Sequence, residues 1–393
     1  MQKFFSISKN IRNFQFNLED LIKFRKTNLK KILNFWELDY SKIYDKTNLP
    51  EKIGIDGIVL KTNGSTGKEF KYKYGLKEFK IIETELHYHE IIKEFNLEKN
   101  NNKMLRVSPE TSDDNGFKII KWKDYQFKLK IFNPDKNDFN YSHGCDKVIC
   151  YHFKYKKNEI IKFCEFLLDF ISKEKMDIFL TSFSFLSILC ECNVKNIKIA
   201  KLISNTCESV NEMQLEIIKQ KKMMDFFCDH MRSWDGGFTF ITCKYNEKHI
   251  LDYLSFAESL DEKLISTDYY NYSSPFVKYW NGDHIKISQD WIKCDCGRFY
   301  RKFVLDGRRK SFTINNISSI DLYDIVSKIN KTLQIICYKN KIKIISLFEL
   351  DESEKKYLNQ NINFNLEFKT NEFEHVGRFN KMLKLVDKTQ QYE

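Results

Sequence analysis

The sequence predicts an α/β protein with a large N-terminal part and a small C-terminal α+β unit, on three observations. Strand and helix patterns alternate from 157 to 203, as they do where helices cover a sheet. An apolar, β-leaning run at 53–61 feeds directly into a loop rich in Ser, Thr and Gly. After Gly307 the alternation restarts as a shorter, separate series.

In chain order, residues 1–50 read as helical, with an amphipathic stretch at 18–38 that ends before Pro50. The run at 53–61 is a strand, 78–95 a helix, and the polar, turn-rich 99–115 a surface loop. Residues 117–133 alternate as a hairpin does. Helices are expected at 157–173 and 182–192, and strands at 177–180 and 197–203. Past Gly307, helices at 320–330 and 353–361 combine with strands at 334–338, 342–347 and 364–368. The boundary therefore falls between 307 and 308, with a hinge at Asp306-Gly-Arg308. The chain shows no internal repeats.

Composition narrows the function. Hydrophobic residues make up 42% and charged residues 30%, which is globular rather than disordered chemistry. No apolar run approaches the ~20 residues of a membrane span, and Met1-Gln-Lys-Phe-Phe-Ser lacks the apolar core of a secretory signal. A cytoplasmic location is expected. The formal charge of +11 raises nucleic acid as a partner, but only nine of the 65 basic residues are Arg. Phosphate and base readers recruit Arg forks, so the scarcity of Arg argues against that partner. Abundant Lys with Asn and Ile instead marks a drift towards A/T-rich codons. Against that drift the 13 Gly become informative, and eight lie in or beside the segments below: Gly64, Gly67, Gly236, Gly237, Gly282, Gly297, Gly307 and Gly377.

Thr62-Asn-Gly-Ser-Thr-Gly-Lys68 combines hydroxyls, two glycines and a cation, so its backbone N–H groups can face phosphate oxygens. It lacks the G-x-x-x-x-G-K spacing of a Walker A loop. Later clusters follow in series: Lys263-Leu-Ile-Ser-Thr-Asp268, Ser274-Pro-Phe-Val-Lys-Tyr-Trp-Asn-Gly-Asp283, Cys294-Asp-Cys-Gly-Arg298 and Asp306-Gly-Arg308. Taken alone, Asn281-Gly-Asp is good turn chemistry.

Together these segments resemble the adenylate-forming (acyl/aryl-CoA ligase) superfamily in its phenylacetate–CoA ligase-like branch, with its "V-T-D", "P-x-I-R-Y-x-x-G-D", "C-x-C-G-R" and "G-R" series. The motifs span about residues 55–310. The resemblance implies the adenylate-forming enzyme fold, with stacked α/β subdomains at 1–307 binding ATP and the acyl group, and a C-terminal lid at 308–393. It implies that Thr62, Gly64, Ser65, Thr66, Gly67 and Lys68 cradle phosphates, that Asp283 accepts the ribose hydroxyls, and that Arg308 touches ribose or phosphate. Lys201-Leu-Ile-Ser-Asn-Thr-Cys-Glu208 is similar to the strand and "G-G-E-P" turn beside adenine, with Thr206-Cys207 in place of Gly-Gly. Met231-Arg-Ser-Trp-Asp235 stands where the family has "Y-G-x-T-E"; Asp235 would take the Mg²⁺ role of the Glu, while Trp234 departs from Thr. Arg378 occupies the place of the lid "G-K" lysine, and Lys381 is the residue expected to reach the reacting carboxylate and α-phosphate.

Eleven Cys in a cytoplasmic chain point away from disulfides. Cys164, Cys190 and Cys337 lie in apolar runs and read as core. Cys243, His249, Cys294 and Cys296 match a family "C-x(n)-H" and "C-x-C-G" pair, and three thiolates with one imidazole make a closed structural zinc site. The implied reaction joins a carboxylate to the α-phosphorus of ATP, with Mg²⁺, and passes the acyl group to CoA, a carrier-protein thiol or an amine. Two other readings stay open: a nucleotide-binding homologue that lacks catalysis, favoured by Trp234 and Arg378, and a ligase acting on nucleic acid.

Overall fold

The computed structural model describes residues 17–48, 58–62, 70–74, 88–97, 102–109, 118–132, 147–153, 159–206, 210–307, 313–373 and 385–388, with scattered positions excepted, among them 40, 123, 124, 211, 234, 235, 275 and 371. Helix α1 (Leu18–Trp36) precedes two paired strands, β1 (Ile58–Thr62) and β2 (Phe70–Tyr74). Next come α2 (Tyr88–Glu94), β3 (Lys103–Pro109), β4 (Lys118–Trp122), β5 (Tyr125–Phe132) and β6 (Lys147–Phe153). Then follow α3 (Glu159–Lys173), β7 (Ile178–Thr181), α4 (Phe183–Cys192), β8 (Leu202–Thr206), α5 (Glu212–Gln220) and β9 (Phe226–Arg232). A run of strands continues with β10 (Thr239–Thr242), β11 (Lys248–Ile250), β12 (Ser255–Leu260), β13 (Lys263–Asp268) and β14 (Tyr279–Ile287). It ends with β15 (Ile292–Lys293), β16 (Phe299–Tyr300) and β17 (Phe303–Gly307). The C-terminal part holds β18 (Thr313–Ile314), β19 (Ile317–Ser318), β20 (Leu333–Tyr338), β21 (Ile342–Ser346), α6 (Glu352–Asn361), β22 (Leu366–Thr370) and β23 (Leu385–Lys388).

The chain forms two compact units, each assembled from three stretches of sequence. The first comprises Met1–Thr62, Lys71–His87 and His230–Arg309; the second comprises Asn63–Phe70, Tyr88–Asp229 and Lys310–Glu393. The chain passes from the first unit to the second between Arg309 and Lys310. Among the described residues no helix is long and apolar enough to cross a membrane.

In the first unit, β12, β13, β14 and β17 form an antiparallel sheet. Helix α1 starts at an N-cap, Asn17, whose side chain accepts the Asp20 N–H, and it ends with Glu37 in the left-handed region at φ 52°. Its stripe Leu29, Ile32, Leu33 and Trp36 repeats at helical spacing and buries against Tyr269 and Val277. A second cluster joins Phe238, Phe240 and Ile250 to Ala257, Leu264 and Ile285.

In the second unit, β8, β7, β3 and β6 run parallel, and β5 and β4 extend the sheet antiparallel. Helix α4 buries every residue from Phe183 to Cys190 and is capped by Ser182, whose hydroxyl accepts the Phe185 N–H. A helix buried all round in this way has no solvent side. Strands β20 and β21 sit between two cores. Ile336, Tyr338 and Ile345 join the cluster of Leu105, Phe179 and Phe183, while Ile335, Cys337, Ile342 and Ile344 join Leu358 of α6. That alternation is the period of two expected of strands.

Two expectations need correction. Residues 99–115 are not simply a surface loop, because β3 pairs with β6 on one side and β7 on the other, with Met104, Leu105 and Val107 buried. The expected strand at 197–203 begins later, at Leu202; Ile199 is buried in the preceding connection, where its N–H reaches Met223 O at 2.7 Å. The helix expected at 78–95 is described only over Tyr88–Glu94.

Glu191, at the end of α4, accepts the backbone N–H of Thr332 at the start of β20. Burial pushes its carboxyl up to about 7, against the opposing pull of Thr332, Lys331 and Lys221. An acid whose folded pKa is raised contributes stability that is complete below its unfolded pKa and is lost as pH rises through the folded value. The chain should therefore lose stability from about pH 4.5 to about pH 7, at up to about 1.4 kcal/mol per pH unit for this one group. Denaturant titrations across that range should show Glu191→Gln with a flatter profile; an unchanged slope would contradict the assignment.

Candidate functional site

The segments ending in Asp268 and Asp283 meet in the first unit, at the turn that joins β9 to β10. The turn closes through Ser233 N–H to Phe238 O at 2.7 Å and Gly237 N–H to Ser233 O at 2.8 Å. Gly237 has φ 74°, and a Cβ there would lie 2.6 Å from the Asp268 Cβ, so both backbone and space require glycine. A Cβ at Gly236 would come within 2.6 Å of the Ser266 hydroxyl. The turn thus lies directly on β13.

Arg232, which ends β9, fixes that contact. Its Nη2 meets Asp268 Oδ2 at 2.9 Å and its Nη1 donates to Thr239 Oγ1 at 2.8 Å, with side-chain exposures of 2% for Arg232 and 0% for Asp268. Asp268 Oδ1 also accepts the Tyr270 N–H at 2.9 Å. The terminal Asp of the "V-T-D" segment is therefore a buried counter-ion.

Asp283 lies on β14, buried, past Gly282 at φ 99°. Its backbone N–H donates to Asn281 Oδ1 at 2.9 Å, and Asn281 Nδ2 donates to Asp283 Oδ2 at 2.9 Å. The same Nδ2 reaches Ser233 Oγ at 3.1 Å. Trp280 Nε1 donates to Asp283 O at 3.1 Å, within β14.

Two hairpins carry the cysteines. Between β10 and β11, Cys243 N–H donates to Glu247 O, Asn246 takes φ 64°, and His249 lies opposite Ile241. Between β15 and β16, Cys294 N–H donates to Arg298 O and Gly297 N–H to Cys294 O. Cys243 Sγ lies 3.8 Å from Cys294 Sγ, Cys296 Sγ lies 3.5 Å from His249 Nε2, and all four ligand atoms fall within 4.8 Å of one another. Zn–S bonds of about 2.3 Å and Zn–N bonds of about 2.0–2.1 Å at tetrahedral angles require edges of about 3.8 and 3.5 Å. The donor set fits one tetrahedral ion. Backbone N–H groups of Tyr245 and Glu247 point at Cys243 Sγ, that of Cys296 at Cys294 Sγ, and that of Arg298 at Cys296 Sγ. Such donors support sulfur in its thiolate form. The hydrogen bond from Cys243 holds Cys296 well below the ordinary thiol range and Cys243 above it, with His249 adding to the pull on Cys296.

Thr62 closes β1, but Gly64, Ser65, Thr66, Gly67 and Lys68 lie outside the described residues. So do Trp234, Asp235, Cys207, Glu208, Arg308, Arg378 and Lys381. Sequence reasoning missed Arg232, Ser233 and Asn281. The scarcity of Arg was the available signal for Arg232, since it adjoins a matched motif; nothing in the sequence marked Ser233 or Asn281.

The chain has the mixed α/β fold of the adenylate-forming enzymes. The structure of McyG A-PCP complexed with phenylalanyl-adenylate matches it with a TM-score of 0.51, over 91% of this chain and 72% of that one, at 12% identity. O-succinylbenzoate coenzyme A synthetase from Bacillus subtilis, in complex with AMP, matches over 83% of this chain and 67% of its own, at 8% identity and a TM-score of 0.47. MbtA from Mycobacterium smegmatis matches over 83% and 63%, at 10% identity and a TM-score of 0.43. No protein-family model and no curated protein matches the sequence.

Proposed function

We propose that this chain binds ATP and activates a carboxylate as its acyl-adenylate, as an enzyme of the phenylacetate–CoA ligase-like branch. The observation that carries the reading is the buried Asp283, held on β14 beside the β9–β10 turn, in a fold shared with a structure that holds an adenylate. A carboxylate in that place can accept two ribose hydroxyls. Lys68 and the N–H groups of 62–68 would take the phosphates, Arg308 would touch ribose or phosphate, and Asp235 would hold Mg²⁺, which neutralises phosphate charge. The substrate carboxylate oxygen bonds to the α-phosphorus as the bond to pyrophosphate breaks. Positioning and charge neutralisation supply most of the rate. The acyl group then passes to a thiol of CoA or a carrier protein, or to an amine, as its bond to AMP breaks and AMP leaves. Cys243, His249, Cys294 and Cys296 would hold structural Zn²⁺, joining the two hairpins, and the location would be cytoplasmic. Trp234 and Arg378 favour a second reading, a nucleotide binder without catalysis.

Calorimetry of ATP binding tests the core of this reading. Asp283→Ala should weaken binding roughly ten- to a hundredfold, the loss of a charge-assisted hydrogen bond of about 1.5–3 kcal/mol. Wild-type affinity in the mutant would refute the ribose role.

Metal analysis of protein purified without chelator should find close to one zinc per chain. Replacing Cys294 and Cys296 together by Ser should remove it and lower the melting temperature, because a structural ion contributes folding energy. A metal-free native chain of unchanged stability would exclude the site.

Once a substrate is found by pyrophosphate release, Lys381→Ala should slow pyrophosphate exchange at least about tenfold, or about 1.4 kcal/mol, with ATP binding intact. A loss confined to Arg378→Ala would move the role to that residue. Loss in neither would support the non-catalytic reading.

A further inference from the structure

Asn281 is buried with 5% exposure, and both ends of its amide are engaged. The assignment of its nitrogen and oxygen is fixed by its neighbours. The Asp283 backbone N–H requires an acceptor, which is Oδ1, and the Asp283 carboxylate requires a donor, which is Nδ2. Nδ2 has two hydrogens and meets two acceptors, Asp283 Oδ2 at 2.9 Å and Ser233 Oγ at 3.1 Å. One side chain therefore grips the Asp283 carboxylate and also the first residue of a turn 48 positions earlier in the chain. Ser233 is itself fixed, since its N–H and its carbonyl close that turn.

A carboxylate on a single rotatable arm can turn about its own bonds. Asp283 is restrained at its backbone N–H and at one carboxylate oxygen by the same amide, which is in turn anchored to a separate element. We propose that Asn281 is a positioning residue that orients the Asp283 carboxylate towards the 2′,3′-diol of a bound nucleoside triphosphate, and so sets the preference for ribose. This rests on the nucleotide reading above. It predicts that the diol is recognised through geometry imposed by Asn281, and not by the carboxylate charge alone. A residue that only braced the strand would alter stability or overall affinity without altering the choice between sugars.

The test compares binding of ATP and of 2′,3′-dideoxy-ATP to the full chain by calorimetry, in wild type, Asn281→Ala and Ser233→Ala, with melting temperatures recorded alongside. The wild type should prefer ATP at least roughly tenfold, and Asn281→Ala should reduce that ratio at least about fivefold, the scale of one ordinary hydrogen bond. Ser233→Ala, which removes only the far anchor, should reduce the ratio by a smaller factor. Should Asn281→Ala not fold, Ser233→Ala and Asn281→Ser decide the matter in its place. A wild type that binds ATP with a strong ribose preference retained in all the variants would overturn the role of Asn281 and leave the nucleotide reading standing. A wild type that binds ATP without ribose preference would overturn it along with the role of Asp283. A wild type that binds neither nucleotide would overturn the nucleotide reading itself.

Discussion

The ion pair between Arg232 and Asp268 organises the first unit. Two fully buried charges carry a desolvation cost that their attraction offsets better when further hydrogen bonds hold the same groups. Here the guanidinium also holds Thr239, and the carboxylate also takes the Tyr270 N–H. The pair joins the end of β9 to the end of β13, and the turn between them has no freedom to slide, because Gly237 is already in contact with Asp268. Ser233 follows Arg232 directly, so the position of Asn281, and through it Asp283, descends from this one contact.

The same unit uses a different device further out. The strands β15 and β16 are two residues each, too short to hold a hairpin by pairing alone. The core around them is small, with Cys243, Cys294 and Tyr300 buried and Cys296 partly so. An ion held by four ligands would replace the apolar area that this corner lacks. Sulfur atoms at tetrahedral spacing and backbone N–H groups aimed at them are consistent with that role.

How much of this was legible in the sequence follows from the range of the interactions. Helices α3, α4 and α6 were legible because what marks them is local, an apolar pattern in α3 and α4 and a capping box in α6, and so was the β4–β5 hairpin. The ordered motifs singled out Asp283, and also Cys243, His249, Cys294 and Cys296, which the fold brings together. Strand β3 was hidden because Met104-Leu-Arg-Val is short, sits among polar residues, and is buried only by β6 and β7, which are distant in sequence. Strand β8 began later than expected because Ile199 is apolar for its packing in a connection and not for pairing in the sheet. Asn281 was invisible for a related reason. Its partner Ser233 is 48 positions away, and a turn-forming Asn-Gly needs no such partner to explain it.

The interleaved path of the chain has a consequence for synthesis. The apolar stripe of α1 at Leu29, Ile32, Leu33 and Trp36 is covered by Tyr269 and Val277, which emerge from the ribosome about 240 residues later. At about 5–20 residues per second, that stripe waits roughly 12–50 seconds for its partners. The second unit meets the same delay in another form, since Ile336, Tyr338 and Ile345 share a core with Leu105 and Phe179. Neither unit can finish before most of the chain exists. The nascent protein therefore carries exposed apolar surface for most of its translation, the kind of surface that chaperones shield.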